Sequence, residues 1–251
     1  MLLCKWHKRM NREYHKWRSR NLKREMELLV FGHGGVPVLF FPTRTARFYD
    51  YENWRIIDAL KEKIEAGYLQ IYCVDSADID SFYNSSIHPA ERIIRYGHYE
   101  KYIIKEVVPF IKRKNPNKYR MVAGCSLGAF HAMNIALKHP KHFNKVVGMS
   151  GRYDLSMQVQ NFRDLFEGYK DENIYFNTPT MFIPNLQEKK IIKALQSLKI
   201  VMVIGKEDPF FENNVLLSNV LSEKGICNTI YVWNEEAHRP RHWRQMVQMY
   251  L

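Results

Sequence analysis

The sequence predicts an α/β fold built on a mostly parallel central sheet with helices on both faces. Two observations carry that prediction. Short apolar runs of strand length alternate with helix-length amphipathic segments along the whole chain, the pattern of successive β-α units. One strand also runs through a sharp glycine-bounded turn, Gly124-Cys125-Ser126-Leu127-Gly128, directly into a helix. At 251 residues the chain can bury one large core, so 1–251 is read as a single domain without a linker.

Taken in order, Met26 to Phe31 and Pro37 to Phe41 are apolar runs separated by His33-Gly34-Gly35, which reads as the turn of an opening antiparallel hairpin. Tyr51 to Ala66 has helical periodicity and is stopped by Gly67, and Leu69 to Val74 is the next strand. Pro89 to Arg113 reads as helix with a break. Tyr119 to Ala123 is the strand before the glycine turn, and Ala129 to Leu137 is the helix after it. Lys145 to Met149, Lys199 to Ile204 and Thr229 to Trp233 are further strands, and a final amphipathic helix runs through Trp243, Met246, Val247 and Tyr250. Gly151 to Ser197 is longer than an ordinary connection. Its apolar and aromatic residues, Phe162, Leu165, Phe166, Tyr169, Tyr175 and Phe176, suit either the walls of a pocket beneath a cap or a core filled from a structural excursion, and both readings stay open.

The glycine turn is where chemistry enters. A serine between two glycines at a strand-to-helix turn is held on a strained corner, with its hydroxyl standing clear of the sheet edge. The helix N-terminus behind it turns free N–H groups toward any oxyanion that develops there. A chance match in a loop is the competing reading, and the strand and helix on either side weigh against it. Serine needs a base and an orienting acid, expected in the order acid then histidine farther along. Asp208 follows a strand end within Gly205-Lys206-Glu207-Asp208-Pro209, with Glu207 as the neighbouring candidate; Asp208 is preferred because its short side chain is easier to fix. His238 lies in the loop after the last strand, whereas its rival His242 falls on the helix that follows. The backbone N–H of Leu127 is one oxyanion donor, and the loop after Pro37 to Phe41 supplies a second from Thr43 or Arg44. His33-Gly34-Gly35 imitates an oxyanion sequence but sits at the wrong place for one.

Several stretches jointly carry a family resemblance: Asn11 to Trp17, Met26 to His33, the serine turn, and Ser150-Gly151-Arg152-Tyr153-Asp154. From Met10 onward the chain resembles the putative esterase family of the α/β-hydrolase superfamily, a group related to esterase D-like enzymes, siderophore esterases and mycolyltransferases. The resemblance implies an α/β-hydrolase fold and a serine ester hydrolase needing no metal or cofactor, with a triad on Ser126, Asp208 and His238 and a small-molecule ester as substrate. Acyl transfer through the same acyl-serine, and a hydrolase scaffold used only for binding, are the alternatives. Two departures stand out. Relatives carry His-Asp-Trp-Pro where this chain reads His238-Arg239-Pro240-Arg241, and a cation beside the histidine disfavours its imidazolium form. Arg44 replaces a residue that is usually small; it either meets an anionic substrate or points into water, and water is the preferred reading.

Composition narrows the remaining classes. The net charge is +12, with basic residues crowding 1–24 among Trp6, Tyr14 and Trp17, but a solvated basic segment explains this more simply than a specific nucleic-acid site. No apolar stretch is long enough for a spanning helix, and Met1-Leu2-Leu3-Cys4 leaves no room for a secretory apolar region before Lys5. Cys4, Cys73, Cys125 and Cys227 lack metal or redox spacing and read as reduced thiols, mostly in core strands, of a cytoplasmic protein. Cys125 is expected to point away from the serine. Asp75-Ser76-Ala77-Asp78-Ile79-Asp80 lacks the glycine and distal glutamate of a calcium loop and reads as a rim near the site. A homo-oligomer is left open.

Overall fold

The computed structural model describes residues 10–251. Eight strands form one sheet: β1 (Arg12–Arg18), β2 (Glu25–Phe31), β3 (Val36–Phe41), β4 (Leu69–Val74), β5 (Met121–Cys125), β6 (Lys145–Met149), β7 (Lys199–Gly205) and β8 (Asn228–Trp233). Their spatial order is β1-β2-β4-β3-β5-β6-β7-β8. The pairs β1–β2 and β2–β4 are antiparallel, and every pair from β4–β3 to β7–β8 is parallel. Helices cover both faces and divide the core into two apolar layers. The mostly parallel, doubly covered sheet expected from the alternating pattern is therefore present.

An antiparallel hairpin does open the sheet, but it pairs β1 with β2. The turn expected between Met26–Phe31 and Pro37–Phe41 is not a hairpin turn, because β4 lies between those strands. Gly32 and Gly35 have φ of 97° and 90°, and a Cβ on Gly35 would collide with the backbone of Gly67 and Tyr68, where the chain enters β4. Glycines serve a tight crossing connection as readily as a hairpin, and local turn chemistry does not tell them apart. Burial decides: β2, β3 and β4 are almost wholly buried, which suits interior strands covered on both faces.

Two helical expectations change in detail. Tyr51 to Ala66 is three short segments, Asp50–Asn53, Ile56–Ala59 and Lys61–Glu65, because Arg55 adopts φ 58° and breaks the hydrogen-bond ladder. Helix Pro89–Tyr102 continues through a π-turn, Ile103–Val107, into Val108–Lys114, so the expected break is a widened turn. Pro109, which lacks an N–H and crowds the preceding turn, gives the reason. The helix after the serine is longer than expected, Leu127–Lys138, and is buried along nearly all its length.

Because β3 and β5 to β8 are parallel and in step, Phe41 lies beside Gly124, Cys125 beside Met149, and Gly205 beside Trp233. Their C-terminal ends form one row, and the loops leaving that row carry Thr43 and Arg44, Ser126, Arg152, Asp208 and His238. The segment expected as a cap divides its large apolar side chains. Leu165 and Phe166 are buried in the core, Phe176 is exposed, and Phe162 faces the row of strand ends.

The described part of the basic N-terminal segment, from residue 10, is anchored. Trp17 stacks on Phe110 and donates to Glu106 Oε2 at 2.9 Å, and Tyr14 donates to Glu27 at 2.6 Å. Trp6 and Cys4 lie outside the described residues. Cys73 and Cys125 are buried thiols, but Cys227 is exposed, so it is not the core thiol expected from its apolar neighbours. It sits in the turn before edge strand β8, whose outward face stays open. No helix among the described residues is long and apolar enough to cross a membrane.

Candidate active site

Ser126 occupies φ 55°, ψ −120°, a sparsely populated conformation for a residue with a side chain. Such a position costs about 1–3 kcal/mol and persists only where the surroundings enforce it. Here the enforcement is visible. A Cβ on Gly124 would strike the Gly128 carbonyl, and a Cβ on Gly128 would strike the carbonyls of Phe41 and Pro42. The two glycines thus allow β5, its helix and the end of β3 to close around the serine. Tyr51 secures the same junction by donating to the Phe41 carbonyl at 2.6 Å and accepting the Cys125 N–H at 3.0 Å. Cys125 itself is fully buried on the opposite face, where burial pushes its thiol pKa up.

His238 Nε2 lies 2.9 Å from Ser126 Oγ, and its Nδ1 lies 2.7 Å from Asp208 Oδ2. The Asp208 side chain is sealed from solvent and its other oxygen accepts the Phe210 N–H at 2.9 Å. Glu207 is exposed and its backbone N–H donates to the Glu235 carbonyl. His242 is buried away from the serine and accepts from Arg241 Nε at 3.1 Å. The residues preferred from sequence are the ones brought together, and their rivals are not.

Some supporting residues were not singled out from sequence. A Cβ on Gly205 would collide with the carbonyls of Glu235 and Glu236, so the bare end of β7 lets the histidine loop settle on it. Ser150 Oγ donates to the Ala237 carbonyl at 2.9 Å and accepts Trp243 Nε1–H at 3.0 Å. Glu235 and Ala237, with φ of 67° and 51°, turn that loop sharply enough to aim the imidazole. A glycine closing a strand before an acidic turn was the available signal for Gly205. Ser150 left none beyond its place in the family stretch, since its partners come from distant segments.

On the oxyanion side, Thr43 is buried and Arg44 exposed. Among the described residues the N–H groups of Leu127, Thr43 and Arg44 donate to no protein acceptor. Asp78 braces this loop by accepting the Thr45 N–H at 3.0 Å and pairing with His131 Nε2 at 3.0 Å. Its neighbours are also occupied, Asp75 with Arg47 and Asp80 with Arg24, so the acidic stretch is a brace at the rim. Arg44 is solvent-exposed at the mouth of the site, with its guanidinium 5.9 Å over the Tyr83 ring. Arg239 is exposed and forms no side-chain hydrogen bond among the described residues.

These groups line a cleft of about 300 Å³ with Trp54, Phe162, Phe210 and Trp243 as aromatic walls. It offers a polarised hydroxyl, a base held by a carboxylate, and free N–H donors facing the same space, the requirements for attack on an acyl carbon. Wider hollows of about 540 and 560 Å³ lie beside β1 and beneath the 175–191 segment, and neither contains a nucleophile with a base in reach.

Residues 19–226 match the protein family described as "Putative esterase". No curated protein sequence matches the chain. Among solved structures it is similar to a ferulic acid esterase, with a TM-score of 0.77 at 15% identity over 97% of each chain. An S-formylglutathione hydrolase from Agrobacterium tumefaciens superposes with a TM-score of 0.72 at 16% identity, covering 96% of this chain and 95% of that one. The S-formylglutathione hydrolase of Staphylococcus aureus gives 0.69 at 16% identity over 96% and 97%. At these identities the likeness speaks for the α/β-hydrolase fold.

Proposed function

Since the chain belongs to the Putative esterase family and is a carboxylic ester hydrolase, we propose that it works through an acyl-serine intermediate formed on Ser126. One observation carries the reading: a single imidazole, His238, bridges the Ser126 hydroxyl and the Asp208 carboxylate at 2.9 and 2.7 Å inside the cleft.

Ser126 Oγ attacks the ester carbonyl carbon as His238 Nε2 takes its proton. Asp208 holds the Nδ1–H tautomer and stabilises the imidazolium. The tetrahedral oxyanion receives hydrogen bonds from the Leu127 N–H and from Thr43 or Arg44 N–H. Collapse breaks the ester C–O bond, and His238 returns the proton to the departing alcohol. Water then attacks the acyl-serine, giving its proton to His238, and the second collapse releases the acid and restores Ser126. We read 1–251 as one domain, in which 151–197 contributes the Arg152 and Phe162 side of the cleft as a partial cap. A cleft of about 300 Å³ is at the small end for ligand sites and suits a short acyl group or a single ring.

A serine-reactive fluorophosphonate tests the mechanism directly. Stoichiometric labelling that disappears in Ser126→Ala is expected. Absence of labelling in the parent, or labelling that survives in the variant, would remove Ser126 from its role.

A further inference from the structure

Two buried arginines in this half of the molecule are neutralised in different ways. Arg92, 2% exposed, meets Glu167 at 2.7 Å, the usual arrangement for a guanidinium removed from water. Arg152 is 4% exposed and has no carboxylate within ion-pair distance among the described residues. Its Nε donates to the Asp154 carbonyl and its Nη2 to the carbonyls of Leu155, Met157 and Arg163. Among the described residues Nη1 donates to no protein acceptor, and Arg152 lines the cleft beside Ser126. The carboxylates of Asp154 and Asp164 act on Arg152 only through their charge at longer range; their hydrogen bonds go elsewhere, Asp154 accepting from Ser156 and Asp164 from the N–H groups of Phe166 and Gly168.

A second cation faces the same space. Arg44 lies over Tyr83 and also has no ion-pair partner among the described residues, and Tyr83 lines the cleft between aromatic walls. No aspartate or glutamate is among the lining residues. Two like charges lining one small, largely aromatic cleft repel each other, and an anion entering with the substrate relieves both.

We propose that the cleft selects esters that carry a carboxylate, received by Arg152 Nη1 and the Arg44 guanidinium beside Tyr83. A carboxylate suits this place because its two oxygens can accept from separate guanidinium edges, and it is small enough to leave room for the ester. The assignment rests on Ser126 being the nucleophile, since that fixes which part of the cleft the ester carbonyl occupies.

The test compares matched ester pairs, each corrected for its rate of alkaline hydrolysis. One pair puts the charge on the acyl side, 4-nitrophenyl butyrate against the 4-nitrophenyl monoester of succinate. The other puts it on the leaving group, phenyl acetate against 4-acetoxybenzoate. In at least one pair kcat/KM should favour the charged ester by about tenfold or more, the lower end of what a charge-assisted hydrogen bond supplies. The preference should shrink with added salt and fall several-fold in Arg44→Met. Arg152→Met should do the same, with its thermal melt checked because Arg152 also pins four carbonyls. Titrating Ser126→Ala by tryptophan fluorescence with the same esters reads binding without turnover. Binding of the charged ester there, with no hydrolysis or labelling of the parent, would support the anion site and defeat the hydrolytic reading. Equal treatment of charged and neutral esters in both pairs, or a preference unchanged in both arginine variants, would overturn the proposal. So would stronger selection for a phosphate-bearing acetate ester than for its carboxylate counterpart.

Discussion

Two histidine–aspartate pairs flank the serine turn, and they have nearly the same length. His238 and Asp208 meet at 2.7 Å, and His131 and Asp78 at 3.0 Å. The second nitrogen of His238 reaches the Ser126 hydroxyl in an open cleft walled by Trp243 and Phe210. The second nitrogen of His131 is sealed among Phe82, Tyr96 and Phe130, without a hydrogen-bond partner among the described residues. A carboxylate behind an imidazole therefore makes a base only where the far nitrogen faces a nucleophile and space for a substrate. Elsewhere the same pair is a brace: Asp78 ties His131, on the helix that begins after Ser126, to the Thr45 N–H of the oxyanion loop.

The steepest losses of activity should come at Ser126 and His238. Ser126→Ala or His238→Gln should lower kcat on a small aryl ester by at least about 10³-fold with the near-UV dichroism unchanged. Asp208→Asn should cost about 10³ to 10⁴-fold, because an amide in place of the carboxylate favours the wrong tautomer of His238. Asp78→Asn is the matched control. It should lose about 1–3 kcal/mol of stability in denaturant melts, yet keep kcat within about tenfold, since it acts only through the loop it braces. Equal losses of kcat in the two asparagine variants would erase the distinction between base and brace. Gly205→Ala touches no reacting group but lifts the loop that carries His238, and misplacement of about 1 Å should cost about 10²-fold.

The smallest effect lies at the other end of the same helix, where Glu100 meets His139 at 2.7 Å and Lys138 at 2.5 Å. Burial alone would raise the Glu100 pKa, but the His139 hydrogen bond and the Lys138 charge outweigh it and hold the carboxyl below its usual value of 4.5. A lowered folded-state value adds stability above the unfolded pKa, and that stability is lost as pH falls through the folded one. Thermal melts below about pH 4.5 should thus narrow the gap between the parent and Glu100→Gln. A gap independent of pH would exclude this carboxylate from the acid response.

Much of the site was legible because its chemistry sits beside strand ends. Ser126, Asp208 and His238 each follow an apolar run, and parallel strands bring such positions to one edge whatever their distance along the chain. The order of those strands was less legible. The glycines after β2 fit a hairpin locally, and only the insertion of β4 between β2 and β3 reassigns them to a crossing connection. Arg55 likewise breaks a helix that periodicity alone would continue, because nothing in an exposed arginine signals a left-handed conformation in advance. Arg152 could not be told from any surface arginine, since four of its hydrogen bonds go to carbonyls whose positions depend on the folded 154–163 loop.

Gly205 has a consequence that reaches beyond its own strand. The spacing between the Ser126 hydroxyl and the His238 imidazole depends on an absent methyl group at the end of β7, where one stretch of bare backbone rests on another. Tolerance to mutation should therefore be lowest at a position with no side chain, no charge and no contact with the substrate, and a search for reactive residues alone would pass over it.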